Sequence, residues 1–197
     1  MRKLILVFVG AIALSTSNVS AQVVKEGNII ADLYYGWPNL YNKVFLALVT
    51  SDGEDNLSSG GIGPVGIRGE YMLADKIGLG FDLAYSNARV KYEVNNYEEK
   101  FATTKIGAMV TFNYHFIDND ALDFYGMIGA GYKNRSFKYT SNNPNSVDDF
   151  DFGATLIPVA FRLGVGLRYF FTDNIGLNMA VGFGHSGIIN GGVSFKF

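Results

Sequence analysis

The chain has 197 residues, with 16 Lys or Arg against 18 Asp or Glu, no Cys and a net charge of −2. Loss of Arg2 and Lys3 with an amino-terminal leader takes the basic count to 14 and the net charge to −4, which argues against nucleic acid as a partner. The lack of Cys excludes a disulfide framework and cysteine-linked lipid, while 24 Gly, 16 Phe, 12 Tyr and only 4 Pro suit β-structure.

At the amino-terminus, Arg2 and Lys3 precede an apolar stretch over 4–14, and Val19-Ser20-Ala21 supplies the small residues a signal peptidase needs. Residues 1–21 are therefore expected to be a cleaved signal peptide, and 22–197 to form one domain. No segment reaches the ~18 consecutive apolar residues of a membrane helix.

Beyond the leader, a period of two recurs in eight stretches: 28–37, 61–73, 77–87, 101–116, 122–139, 156–171, 175–184 and 188–197. In the seventh, Ile175, Leu177, Met179, Val181 and Phe183 share one face, opposite Gly176, Asn178, Ala180 and Gly182. Alternation of this kind gives each strand one continuous apolar side. Short connections carrying Asp or Asn, at 73–76, 117–121 and 172–174, alternate with long ones around 38–60, 88–100 and 140–153. The connection at 185–187 is the exception, short where a long one is due. The pattern is that of an up-and-down meander.

Alternation does not say which face is inside. With strands running alternately up and down, however, the apolar-face aromatics fall at two heights. Tyr35, Trp37, Tyr85, Tyr132 and Phe183 lie at upper ends; Tyr71, Tyr114, Phe116, Phe124, Tyr169, Phe171, Phe195 and Phe197 lie at lower ends. Two aromatic girdles around an apolar band are expected of a membrane barrel.

The opposite face then lines the lumen, with Asp32, Arg68, Glu70, Asp82, Lys105, Asn113, His115, Asp123, Lys133, Arg135, Arg162, Arg168, Asn178 and Lys196 interleaved with Gly66, Gly80, Gly129, Gly131, Gly164 and Gly166. Eight strands leave an interior that side chains can fill. Mixed signs let the buried charges pair, and the glycines are expected to make room for long Arg and Lys chains. A lumen charge network of Asp32, Arg68, Glu70, Asp82, Lys105, Asp123, Arg162 and Arg168 follows.

The carboxy-terminal run Asn190-Gly191-Gly192-Val193-Ser194-Phe195-Lys196-Phe197, the turn pattern and the girdles resemble the small outer-membrane barrels of the OmpA/OmpX type, porin-like or opacity-type surface antigens, over essentially the whole chain. The resemblance implies an all-β fold, an eight-stranded antiparallel transmembrane β-barrel in the bacterial outer membrane. Asn190, Gly192, Phe195 and Phe197 would then form the assembly signal read by the barrel-assembly machinery. Outer-membrane lipid and lipopolysaccharide are the implied surroundings. The chain stops at its eighth predicted strand, so the peptidoglycan-binding domain that OmpA-type proteins append is not expected.

Catalytic chemistry has few candidates. His185 adjoins Ser186, but neighbours on a strand point to opposite faces and no acid lies in the last strand, so a polar turn is the expectation. His115 is expected as a hydrogen-bonded lumen residue. Acid clusters at Asp52, Glu54 and Asp55 and at Asp148, Asp149 and Asp151 match no Ca²⁺-loop spacing, so no metal or cofactor is expected. After Pro38, Leu40, Val44 and Leu48 recur at helical spacing, predicting a short helix over 39–50. The functional expectation is a non-enzymatic structural or surface-interaction barrel, adhesin-like, meeting extracellular partners through its long loops. The alternatives are a lipid-modifying enzyme and a narrow channel.

Overall fold

The computed structural model describes residues 23–37, 58–94, 97–145, 150–153 and 158–197. The leader, the predicted helix over 39–50 and most of the two acid clusters lie outside them. Nine strands follow one another: β1 (Ile29–Trp37), β2 (Ser58–Ala74), β3 (Ile77–Val94), β4 (Tyr97–Asp118), β5 (Leu122–Ser141), β6 (Phe150–Gly153), β7 (Val159–Phe170), β8 (Ile175–Gly184) and β9 (Ile189–Lys196). All pairings are antiparallel. The order β4-β3-β2-β1-β9-β8-β7-β5, with β4 also paired to β5, closes eight of them into a barrel, and β6 adds a short edge to β5. The first and last strands seal it, from Ile30 opposite Lys196 to Trp37 opposite Ile189.

Burial is inverted relative to a water-soluble core. Arg162 is 1% exposed and its neighbour Leu163 is 59% exposed. The same alternation holds along β8, where Ile175, Leu177, Met179, Val181 and Phe183 face out and Gly176, Asn178 and Ala180 are buried. An apolar band exposed on a closed barrel, with charge inside, suits a hydrocarbon surround and no aqueous one. Both girdles are on the outer face, Trp37, Tyr35, Tyr85, Tyr132 and Phe183 at one end and Tyr71, Tyr114, Phe116, Tyr169, Phe171 and Phe197 at the other.

The end with short turns is the periplasmic one. Its turns are tied by side chains: Asn119 Oδ1 accepts from the amides of Ala121 and Leu122, and Thr172 Oγ1 accepts from those of Asn174 and Ile175. The amino-terminal residues tuck into this mouth. Val23 and Val24 pack with Ile30, Met72 and Phe170, and Lys196 Nζ donates to the Val23 carbonyl at 2.7 Å. Lys196 thus belongs to this closure and not to the lumen network.

At the outer end the structure corrects the expected loop over 88–100. β3 and β4 stay paired from Ile77 opposite Tyr114 up to Val94 opposite Tyr97, and β5 follows β4 as far as Ser141 opposite Glu99. Part of the expected loop at 140–153 is likewise strand, since β6 pairs with the top of β5. Polar outward residues such as Asn87, Arg89, Thr104 and Ser136 interrupt the hydrophobicity signal without interrupting the backbone ladder. Among the described residues, a sheet of β2 to β6 therefore rises beyond β1, β7, β8 and β9.

Candidate functional site: the filled lumen and its outer rim

The lumen is organised around two arginines. On β7, Arg168 Nη2 lies 3.0 Å from Asp32 and 2.8 Å from Glu70, and Nη1 lies 2.8 Å from Asp123. His115 completes this lower layer, with Nδ1 2.5 Å from Asp123 and Nε2 3.0 Å from Glu70. The Tyr125 ring lies against both side chains, 4.1 Å from the Arg168 guanidinium carbon and stacked on the His115 ring. In the upper layer, Arg68 Nε lies 3.3 Å from Asp82, its Nη1 3.9 Å from Asp32, and its Nη2 donates to Asn190 Oδ1. Asp82 also accepts from the Tyr34 hydroxyl at 2.5 Å and from Ser186 Oγ at 2.9 Å, and Asp32 accepts from Ser194 Oγ at 2.6 Å. Each carboxylate so described meets two or more donors, the condition under which buried charge is tolerated.

Some of these pairs are cross-strand neighbours, such as Asp32 and Arg68 on β1 and β2 or Asp123 and Arg168 on β5 and β7. Arg168 and Glu70 are not. Counted round the barrel through β8, β9 and β1, their strands are four apart, so the bridge crosses the lumen.

Two members of the expected charge network do other work. Lys105 Nζ donates to the His185 carbonyl and Arg162 Nη1 to the Gly187 carbonyl, each at 3.0 Å. Arg162 forms no ion pair among the described residues, and its Nε and Nη2 meet no hydrogen-bond partner there. The correction has a local cause. The 185–187 connection, expected as a polar turn, folds into the outer mouth, with His185 5% and Ser186 0% exposed. Gly184 at φ +127° and Gly187 at φ +86° permit that reversal. The turn's carbonyls, now desolvated, take the two cations. Lys133 and Arg135 remain half-buried higher up the lumen wall.

The lumen glycines also serve a different purpose from the expected one. A Cβ at Gly66 would strike the Tyr34 hydroxyl, one at Gly166 the Tyr125 ring, one at Gly78 the Glu70 carboxylate, and one at Gly107 the His185 ring. Tyr34 and Tyr125 face inward, 5% and 0% exposed. Their even and odd positions in β1 and β5 place them on the same faces as Asp32 and Asp123, a signal present in the sequence.

A serine–histidine mechanism needs the two side chains within hydrogen-bond reach. Among the described residues neither histidine hydrogen-bonds to a serine: Ser186 is committed to Asp82, and His185 Nε2 lies 3.5 Å from the Ala84 carbonyl. No group of three or more potential metal ligands occurs among them. At the carboxy-terminus, Phe197 pairs through its backbone with Ile29 and leaves its ring 71% exposed, while Asn190 turns inward to Arg68 and a Cβ at Gly192 would strike the Leu33 carbonyl.

The chain matches the protein-family model of the outer membrane protein β-barrel domain over residues 6–196. Among solved structures it is similar to the outer membrane protein OprG of Pseudomonas aeruginosa, with a TM-score of 0.50 at 16% identity, covering 88% of this chain and 97% of that one. It is also similar to the N-terminal β-barrel domain of OprF from the same organism (TM-score 0.47, 17% identity, 88% and 99% covered). A third is Ail, the attachment invasion locus protein of Yersinia pestis, solved with the heparin analogue sucrose octasulfate (TM-score 0.44, 15% identity, 87% and 99% covered). At these identities the OprG likeness speaks to the fold alone. No curated protein matches the chain.

Proposed function

The chain belongs to the outer membrane protein β-barrel domain family and resides in the bacterial outer membrane, and from that premise we propose that it is a non-enzymatic structural and surface-interaction barrel, adhesin-like in presenting its outer strands to extracellular partners. In this reading residues 1–21 direct export, 22–197 form the barrel, and Asn190, Gly192, Phe195 and Phe197 are read by the barrel-assembly machinery. One observation carries it: the lumen is bridged across its width by Arg168 and Glu70, while β2 to β5 continue beyond the outer girdle. A bridged interior disfavours passage of solutes, and the commitment of Ser186 to Asp82 disfavours a serine–histidine enzyme. The rising strands are what remains available for contact.

The test compares intact cells carrying the wild-type barrel with cells in which residues 90–101 are replaced by a two-residue Asn-Gly turn. A membrane-impermeant lysine cross-linker should capture an extracellular partner with the former only, with lipid A unchanged in both. Expression that alters lipid A, with cross-links indifferent to the shortening, would overturn the reading.

A further inference from the structure

Arg162 stands in the upper lumen without a carboxylate, and the buried atoms around it have one property in common. Among the described residues, five of them meet no hydrogen-bond partner: Nε and Nη2 of Arg162, Nη1 of Arg68, Nδ2 of Asn190 and the Tyr125 hydroxyl. All five can donate, and only the hydroxyl can also accept. The Asn190 amide is oriented by its Oδ1, which already accepts from Arg68 Nη2. Their owners are neighbours: Arg68 binds Asn190 directly, Arg162 lies in the electrostatic field of Arg68 and Tyr125, and Arg68 lies in that of Tyr125. The other unpartnered buried atoms lie elsewhere, Asn113 Oδ1 and Asn178 Oδ1 toward the periplasmic turns, Thr103 Oγ1 and His185 Nδ1 toward the outer mouth.

Charge is divided unevenly by height. In the lower layer, Asp32, Glu70 and Asp123 gather on Arg168 and His115. In the upper layer, Asp82 already takes Tyr34, Ser186 and Arg68 as donors, and Arg162 has only the Gly187 carbonyl. A guanidinium withheld from water is costly unless a negative charge compensates it. The wall beside Arg162 is also built of small residues. Gly164 of β7 pairs with Gly182 of β8, and the three atoms nearest a Cβ at either position are backbone atoms of the facing strand. At Gly66, Gly107 and Gly166 a side-chain ring or its hydroxyl is nearest instead. The pair of glycines thus keeps the lumen wide at the level of Arg162.

We propose that the upper lumen binds a small monovalent anion of chloride size, held by Arg162 Nε and Nη2, Arg68 Nη1, Asn190 Nδ2 and the Tyr125 hydroxyl. A set of donors selects an anion over water, because a water molecule brings two hydrogens that need acceptors of their own. One uncompensated guanidinium selects a single negative charge. The closed mouths exclude an ion with an organic tail, since the 185–187 turn covers the site above and Val23 and Val24 close the barrel below. The ion is a structural counter-charge, and the inference is independent of the surface-interaction reading.

The experiment unfolds the full-length barrel by urea in phosphatidylcholine vesicles, in sodium chloride or in sodium gluconate, whose anion is too large for the site. Equal ionic strength holds general screening fixed. The unfolding equilibrium constant should fall by the factor 1 + [Cl⁻]/Kd, about tenfold once chloride is about ten times Kd. This dependence should vanish in Arg162→Met, weaken in Tyr125→Phe and match the wild type in Lys76→Gln, at a periplasmic turn. Crystals of wild-type barrel folded in sodium bromide should show an anomalous peak within hydrogen-bond distance of the Arg162 guanidinium. If Arg162→Met does not fold, Tyr125→Phe and the bromide peak decide the matter. Equal stability in chloride and gluconate would overturn the proposal, any bromide then being an adventitious ion only. A chloride effect undiminished in the variants, or a water where the bromide is expected, would overturn it as well.

Discussion

Arg168 on β7 and Glu70 on β2 meet at 2.8 Å from opposite walls of the barrel. The guanidinium that makes this bridge also binds Asp32 and Asp123, and the glutamate also binds His115, so one cation joins four strands across the interior. The lumen is consequently a polar core in the mechanical sense. It holds the walls together as apolar side chains do in a soluble protein, through ion pairs that exist because both partners are withheld from water.

Removal of Arg168 should be far more costly than removal of Arg162. Arg168→Ala leaves three carboxylates short of a partner and should destabilise the barrel by about 3–5 kcal/mol. Arg162→Ala removes a hydrogen bond to a carbonyl and relieves a buried cation, so its cost should be no more than about 2 kcal/mol. Urea unfolding in lipid vesicles, followed by tryptophan emission from Trp37, measures both. Equal costs would show that the two arginines share one network.

Conductance should be absent. A wild-type barrel in a planar bilayer should show no reproducible steps, because the outer mouth holds the 185–187 turn, the middle holds the Arg168 bridge and the periplasmic mouth holds Val23 and Val24. Steady single-channel openings from the unmodified protein would contradict the closed interior.

The inward turn depends on a missing side chain. Gly107→Val places a Cβ and two methyls where the His185 ring lies, and should cost about 1–3 kcal/mol by overpacking. His185→Ala in the same chain should recover part of that loss. A double-mutant cycle checks this, with a coupling of about 0.5–3 kcal/mol expected and additivity ruling out the contact.

The carboxy-terminal aromatic should matter for assembly and little for export. In Phe197→Asp, a charge replaces a ring that is 71% exposed on the lower girdle. Processed but unfolded protein should accumulate in the periplasm, seen as loss of the heat-modifiable band at unchanged total amount. Normal levels of folded barrel would remove Phe197 from the assembly signal.

Orientation can be read by labelling. Single cysteines at Lys91 or Lys100 should react with a membrane-impermeant maleimide on intact cells, and cysteines at Asp75 or Asp173 should react only after the outer membrane is opened. The chain has no native Cys to confuse the result. The reverse pattern would invert the barrel.

Much of the architecture is legible in the chain because it is written in local order. A period of two, counted residue by residue, assigns each side chain to one face, and the grouping of aromatics at strand ends identifies the faces as lipid and lumen. On that basis β8 is recovered to the residue, and Asp32, Arg68, Glu70, Asp82, Asp123 and Arg168 are placed inside. The same local order fails where hydrophobicity and backbone pairing part company. Above Tyr85 the outward residues become polar, so 88–100 looks like loop, although Ala88 and Val90 continue the inward alternation and the strands stay paired.

What only the tertiary structure decides is who meets whom. Arg168 and Glu70 are 98 residues apart and on strands that share no ladder, so their bridge arises from closure of the barrel and its small diameter. The fate of His185 and Ser186 is decided in the same way. Their neighbouring positions show only a short turn, whereas the space left by Gly107 and Gly36, together with the donors Lys105 and Arg162, draws that turn into the lumen. Alternation is a property of one strand and can be read along it; complementarity across a lumen belongs to all eight strands at once, and exists only when the last of them has paired with the first.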